Sequence, residues 1–158
     1  MANGTKGFET AVNPQEFTGG CQCGAVRYRI RAERLACYAC HCRECQKQSA
    51  SAFGISVPVA QDNFTLEGEV LMWRRPTDSG SFTNCYFCAE CGTRIYHAGE
   101  SRPSKVTIKG GSLDNASELA PVAHIWTISK QAWVVLPEGI PQWDKQPENA
   151  DEWTELLA

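Results

Sequence analysis

Nine of the 158 residues are cysteine, and seven of them fall into two groups whose spacing suits a metal ion. The first group joins Cys21-Gln22-Cys23-Gly24 to Cys88-Ala89-Glu90-Cys91-Gly92, two short pairs from separate parts of the chain. Zinc in a structural site takes four tetrahedral ligands, with sulfur at about 2.3 Å, and two such pairs supply them. A glycine after the second cysteine of each pair can take the positive φ of a tight turn, letting backbone N–H groups point at thiolates. A metal held there would pin an N-terminal strand to the second half of the chain.

The second group is Cys40-His41-Cys42-Arg43-Glu44-Cys45. A C-x-C pair is too cramped for an easy disulfide, and a third cysteine three residues later completes one face of a metal tetrahedron. Three protein ligands with one open position distinguish catalytic zinc sites from closed ones. Cys37, Cys85 or His41 could equally close the site as a fourth ligand, and spacing alone does not choose between the two arrangements. An odd number of cysteines cannot all pair internally. In a reducing compartment, clustered cysteines are metal ligands or redox groups more often than a disulfide framework. A redox role would need the C-x-x-C pairs free of metal.

Other groups with chemical potential are few. His41 sits between ligands, His97 ends a strand and His124 lies among residues 121–126. For each, a histidine satisfied by hydrogen bonds is the commoner outcome than a catalytic one. Arg43 and Lys47 flank the metal loop, where side chains are ordinarily solvated. Trp73, Trp126, Trp133, Trp143 and Trp153 read as core or edge packing.

The elements that position these residues read as strands. Val26, Tyr28 and Ile30 alternate with Arg27, Arg29 and Arg31, the period-two pattern of a strand with one buried face. Further strands are predicted over residues 53–59, 70–74, 81–87, 93–97 and 105–109, separated by turn signals such as Asp78-Ser79-Gly80 and Gly110-Gly111. Helix is scarce: a turn or two after Cys45, another over 129–135 and a short piece over 152–157. The expected organisation is a flexible arm (1–16), one mainly β, antiparallel zinc-binding domain (17–145) and a C-terminal extension (146–158). A chain of this length buries roughly 68–70% of its unfolded surface, so a hydrophobic core is available without metal.

Net charge is −3 and the basic residues are scattered, which weighs against a nucleic-acid partner. No segment approaches the roughly 20 apolar residues of a membrane helix, and the first twenty residues hold no signal-like apolar stretch. A cytoplasmic protein is the expectation. Nothing in the sequence sets its oligomeric state.

At three motifs the chain resembles the glutathione-dependent formaldehyde-activating family, also called the centromere protein V type domain. These are the runs from Gly19 to Tyr28, from Cys40 to Lys47 and from Phe87 to Tyr96. A weaker match continues through Pro121, His124-Ile125-Trp126, Ser129-Lys130 and Trp133, so the likeness spans residues 17–143. The resemblance implies a β-tent fold with two zinc ions per chain. It implies a structural zinc on Cys21, Cys23, Cys88 and Cys91, and a catalytic zinc on Cys40, Cys42 and Cys45. It also implies a carbon–sulfur lyase that joins a small thiol such as glutathione to an aldehyde such as formaldehyde. The alternative is a non-catalytic, zinc-stabilised binding module with both sites structural. Two departures bear on the pocket rather than the ligands: Gln48-Ser49-Ala50-Ser51-Ala52-Phe53 replaces a frequent serine-glycine pair, and His97 stands where a small residue is common.

Overall fold

The computed structural model describes residues 13–158 and contains ten strands and two α-helices. Residues 1–12 of the expected arm lie outside the described residues, and β1 (Gln15–Gly20) already begins within its last two positions. β1 pairs antiparallel with β2 (Arg27–Ala32), and β2 with β5 (Phe64–Glu67), forming a three-stranded sheet. The second sheet has seven strands in the order β10-β3-β4-β9-β8-β7-β6. Its members are β3 (Cys37–Cys40), β4 (Gly54–Ala60), β6 (Val70–Pro76), β7 (Phe82–Cys88), β8 (Arg94–Gly99), β9 (Lys105–Lys109) and β10 (Pro121–Ile125).

The core lies between the sheets. Tyr28 and Ile30 enter it from β2, and Val57, Ile95, Val106 and Ile108 from the large sheet. The alternation read in β2 holds: Tyr28 and Ile30 are buried while Arg27, Arg29 and Arg31 face water. Each fully buried aliphatic side chain stabilises the fold by about 1.5–3 kcal/mol, so this layer is a substantial source of stability independent of metal. Tyr28 spans the layers, its hydroxyl 2.9 Å from Ser112 Oγ. Outside the core, the forked pair of Arg27 with Asp114 ties β2 to the segment after β9.

The mainly β, antiparallel reading is correct, with one exception: β10 runs parallel to β3. The expected helix over 129–135 is not formed. Residues Thr127–Ser129 make a single 3-10 turn, and the N–H groups of Thr127 and Ile128 donate to the carbonyls of Trp143 and Asp144. That segment divides its hydrogen bonds between isolated turns of its own, with Lys130 N–H donating to Thr127 O and Val134 N–H to Gln131 O, and the neighbouring chain run. The C-terminal helix α2 (Ala150–Leu157) is capped by Asn149, whose side chain accepts from the N–H groups of Asp151 and Glu152. Its Trp153 packs edge-on against Tyr38 and Trp143. Among the described residues, no helix is long and apolar enough to cross a membrane.

Helix α1 (Arg43–Ser49) begins earlier than expected and ends on Ala50, which adopts left-handed backbone at φ +50°. A Cβ in that conformation costs roughly 1–2 kcal/mol, whereas glycine avoids the clash. Ala50 is exposed, so its methyl contributes little packing. Ala50→Gly is therefore expected to stabilise the protein by about 0.5–1 kcal/mol after glycine's greater chain entropy is deducted. Chemical denaturation checks this, and a lower midpoint in the variant would contradict it.

Candidate metal centres

The first cysteine cluster is built from two matching turns. Cys21 and Cys23 occupy the turn between β1 and β2, while Cys88 ends β7 and Cys91 lies in the turn leading to β8. In each turn the glycine has positive φ, +83° at Gly24 and +72° at Gly92, as the sequence suggests. Gly24 N–H donates to Cys21 O and Gly92 N–H to Cys88 O, which closes the loops. Thr93 joins them: its Oγ1 accepts from Gln22 N–H at 3.2 Å and lies 3.1 Å from Cys91 Sγ.

All four sulfurs lie within 4.8 Å of one another, with Cys21 to Cys23 at 3.4 Å and Cys23 to Cys88 at 3.8 Å. A disulfide would need about 2.05 Å. A tetrahedron of sulfurs at 2.3 Å from a metal has edges of about 3.8 Å, so the arrangement fits a four-thiolate ion. Val26 N–H donates to Cys21 Sγ at 3.1 Å, further stabilising negative charge on sulfur. The Thr93 hydroxyl helps pull the Cys91 thiol down to about 5. Cys23 has backbone help at Ala25, but its neighbours Cys21 and Cys91 outweigh it and push the thiol up to about 12. The thiols therefore divide the available charge.

The second cluster forms where β3 turns into α1. Cys40 is the last residue of β3, Cys42 is the N-cap of α1, and Cys45 lies in its first turn. Their sulfurs also fall within 4.8 Å of one another. Hydrogen bonds from the Cys40 and Cys45 thiols, joined by backbone N–H groups, draw Cys42 down to about 2. The Cys42 contact in turn drives Cys40 far above the ordinary thiol range. Such a trio suits a soft or borderline cation such as zinc.

None of the three candidate fourth ligands joins this trio among the described residues. Side-chain alternation explains Cys37: Tyr38 and Cys40 share one face of β3, so Cys37 points the other way, into the hydrophobic core. Cys85 is fully buried on β7, with Gln48 Nε2 3.5 Å from its sulfur. His41 turns away to His124, with His41 Nε2 3.0 Å from His124 Nδ1. Burial, then the His124 side chain and Lys130, lowers His41 to about 4, while burial lowers His124.

Gln46 is a positioning residue that the sequence reading missed. It is buried on α1 and donates through Nε2 to the carbonyls of His41 at 2.7 Å and Ser129 at 2.9 Å, fixing the metal loop to the segment after β10. Its place within a polar helical run carried no signal of burial.

The trio opens on a cavity of 550 Å³ whose walls include Tyr38, Ser56, His97, Arg102, Lys109 and Trp126. Of these, His97 and Trp126 were singled out from sequence, His97 as a departure bearing on the pocket and Trp126 only as core or edge packing. Trp126 lies against the cavity in left-handed backbone at φ +59°. Trp73 and Trp133 are substantially exposed, so the packing expectation for the tryptophans applies best to Trp143 and Trp153. Arg43 reaches back to Gln46 Oε1 at 2.8 Å, and Lys47 is exposed.

Fold and site together define a two-sheet β protein with a four-cysteine cluster and a separate three-cysteine cluster facing a cavity. The chain belongs to the glutathione-dependent formaldehyde-activating enzyme family, whose model matches residues 16–129. A Schizosaccharomyces pombe protein described as "Uncharacterized lyase C29B12.13" is 32% identical over 85 residues, covering 52% of this chain and 58% of that protein. The match thus spans less than two thirds of that relative. The crystal structure of a Rhodobacter sphaeroides protein is similar in fold, with a TM-score of 0.50 over 80% of this chain and 98% of the other, at 18% identity.

Because Cys37 faces the core, Cys37→Ser is expected to leave metal content equal to that of the unaltered chain. Its burial of a hydroxyl among apolar side chains should cost about 1–3 kcal/mol. Elemental analysis and thermal melting check the pair of outcomes, and loss of one metal equivalent would show that Cys37 is a ligand.

Proposed function

We propose that this protein is a zinc-dependent carbon–sulfur lyase that reversibly joins a small thiol such as glutathione to an aldehyde such as formaldehyde. The observation that carries this reading is the three-cysteine cluster, which has no fourth protein ligand among the described residues and faces a cavity large enough for a small peptide. The family match and the relative described as a lyase support the reaction class. Two zinc ions per chain follow, one structural on Cys21, Cys23, Cys88 and Cys91, the other catalytic on Cys40, Cys42 and Cys45. None of the nine cysteines is paired in a disulfide, which suits a reducing compartment such as the cytoplasm.

Zinc bound by the trio would lower the pKa of an incoming thiol and keep it as a thiolate near neutral pH. Cys40, Cys42 and Cys45 would hold that ion beside the cavity. In the reaction the thiol sulfur forms a bond to the carbonyl carbon, the C=O π bond breaks, and the oxygen takes up the proton the thiol has lost. Lys109 stands in the same cavity, and its ammonium would stabilise negative charge on that oxygen. Burial, together with the surrounding cations, keeps His97 uncharged, so its imidazole can hydrogen-bond to the hydroxyl product. The cavity walls hold thiol and aldehyde together, a contribution of orientation rather than of acid–base power.

Protein purified without chelator should contain close to two zinc ions per chain. Cys42→Ser should retain the fold, lose one ion and lose carbon–sulfur activity. Cys88→Ser should be insoluble or strongly destabilised, since structural zinc contributes an apparent ~10–16 kcal/mol in small zinc peptides, and a sizeable part of that should remain here. Elemental analysis, melting curves and formaldehyde consumption with glutathione provide the readouts. In the unaltered protein, glutathione should change the zinc-edge absorption spectrum. An unchanged spectrum with no turnover would instead favour a binding module with two structural ions.

A further inference from the structure

Two cavities meet at the three-cysteine cluster. The first, of 550 Å³, has Cys40, Cys42 and Cys45 in its walls, and the second, of 470 Å³, reaches Cys45 alone of the three. Cys45, Gln48 and Lys109 wall both and so form the partition between them. The two differ in chemistry. Charged side chains of both signs wall the first, among them Arg75, Asp78 and Arg102. The walls of the second are mostly apolar. Arg94 is the one charged residue among the described residues that it does not share with the first, and its Nε and Nη2 are buried. Ser49, another of its walls, keeps its hydroxyl within its own turn, 2.8 Å from Cys45 O and 3.0 Å from Phe53 O.

Missing side chains keep the second cavity open at the cluster. Gly54 pairs with Cys40 across β3 and β4, so the position a side chain would take lies on the face of Cys40. Its φ is outside the left-handed region, and the backbone conformation therefore does not call for glycine there. What Gly54 provides is space. A Cβ at this position would touch Cys45 Cβ at 3.4 Å and stand 3.9 Å from the sulfur, so a longer side chain would crowd that flank of the cluster. Glycine inside a strand often marks the close approach of a ligand. Gly111 stands at another wall, with an ordinary φ and nothing within 4 Å of an added Cβ.

We propose that the second cavity is the aldehyde subsite and receives an apolar substituent on the carbonyl carbon, an inference that rests on reading the three-cysteine cluster as the thiol site. Formaldehyde has no substituent and would leave this space unused. A thiol bearing charges matches the first cavity, which leaves the apolar one to the uncharged partner. An aldehyde RCHO with R in the second cavity would bring its carbonyl to the partition, where Cys45 marks the thiol and Lys109 faces the oxygen. The sulfur–carbon bond forms there, the C=O π bond opens, the oxygen takes the proton lost by the thiol, and R stays where it was. The protein accordingly favours aliphatic aldehydes longer than formaldehyde, with Gly54 and Gly111 setting the room available.

The test follows glutathione addition to ethanal, propanal and butanal by NMR exchange spectroscopy, using metal-loaded protein and subtracting the uncatalysed rate. These three carbonyls are similar in reactivity, so kcat/KM should rise about twofold to fourfold per methylene through burial of the chain. Gly111→Leu fills the cavity from a position without clash or backbone strain and should cancel the rise. A flat or falling series in an unaltered protein that turns over formaldehyde would overturn the subsite and leave the carbon–sulfur reading standing. An undiminished rise in folded Gly111→Leu would also overturn it. Acetamide and butanamide, which thiols do not attack, give a second readout by NMR titration. Butanamide should bind more tightly by the same factor per methylene and shift the amide signals of Ala50, Gly54 and Gly111. Should Gly111→Leu not fold, those shifts locate the ligand instead, and shifts confined to the first cavity would overturn the proposal. Without turnover of any aldehyde, tighter butanamide binding at these residues would uphold the subsite while rejecting the thiol chemistry, and equal binding of the two amides would reject both.

Discussion

Thiolates crowded at van der Waals distance repel one another, and the two cysteine clusters place seven sulfurs under that constraint. The protonation pattern of each shows the tension. Cys42 becomes a thiolate because Cys40 and Cys45 donate to it, and Cys40 is held protonated in return. At the other cluster Cys91 goes down to about 5 while Cys23 goes up to about 12. Protons alone leave such groups in competition, whereas a divalent cation satisfies every sulfur at once. The backbone around them is consistent with that need, since tight turns and N–H donors bring the sulfurs close and favour negative charge.

The four-cysteine cluster gains its mechanical importance from where its turns lie. One belongs to the three-stranded sheet and the other joins β7 to β8 of the large sheet, so an ion there would cross-link the two layers across the core. Thr93 already spans both turns through Gln22 and Cys91. The three-cysteine cluster links one strand end to one short helix. Gln46 and the His41–His124 contact secure that junction against the segment after β10. Losing an ion from the first position would remove one tie between the two sheets, whereas losing it from the second would leave that polar scaffold in place.

Much of this arrangement was legible in the chain itself. Seven cysteines announced both clusters because ligand spacing is local, and Gly24 and Gly92 announced turns because positive φ favours glycine. Strands with a clean alternation, such as β2, were equally visible. β3 and β10 were not, since each is short and without a polar face to set a rhythm. The pocket was less legible still. Arg75, His97 and Lys109 stand far apart in sequence and converge only through the registers of β6, β8 and β9. Whether Cys37 closes the second site was also undecidable from spacing, because the answer depends on which face of β3 it occupies.

That dependence on face has a wider consequence. Side chains alternate strictly along a strand, so the same parity that buries Cys37 in the core directs Cys40 to the cavity. Through Tyr38, Ser56 and Lys109, each paired across the next strand, the choice is carried outward from β3 to β9. A slip of one residue in β3 would exchange the two cysteines and present Ala39 beside Ser56. The resulting core would hold a cysteine destined for metal, and the cavity a three-sulfur group with one member missing. Selection of register by the apolar face is therefore what leaves the second cluster with three sulfurs and an open side, before any ligand enters.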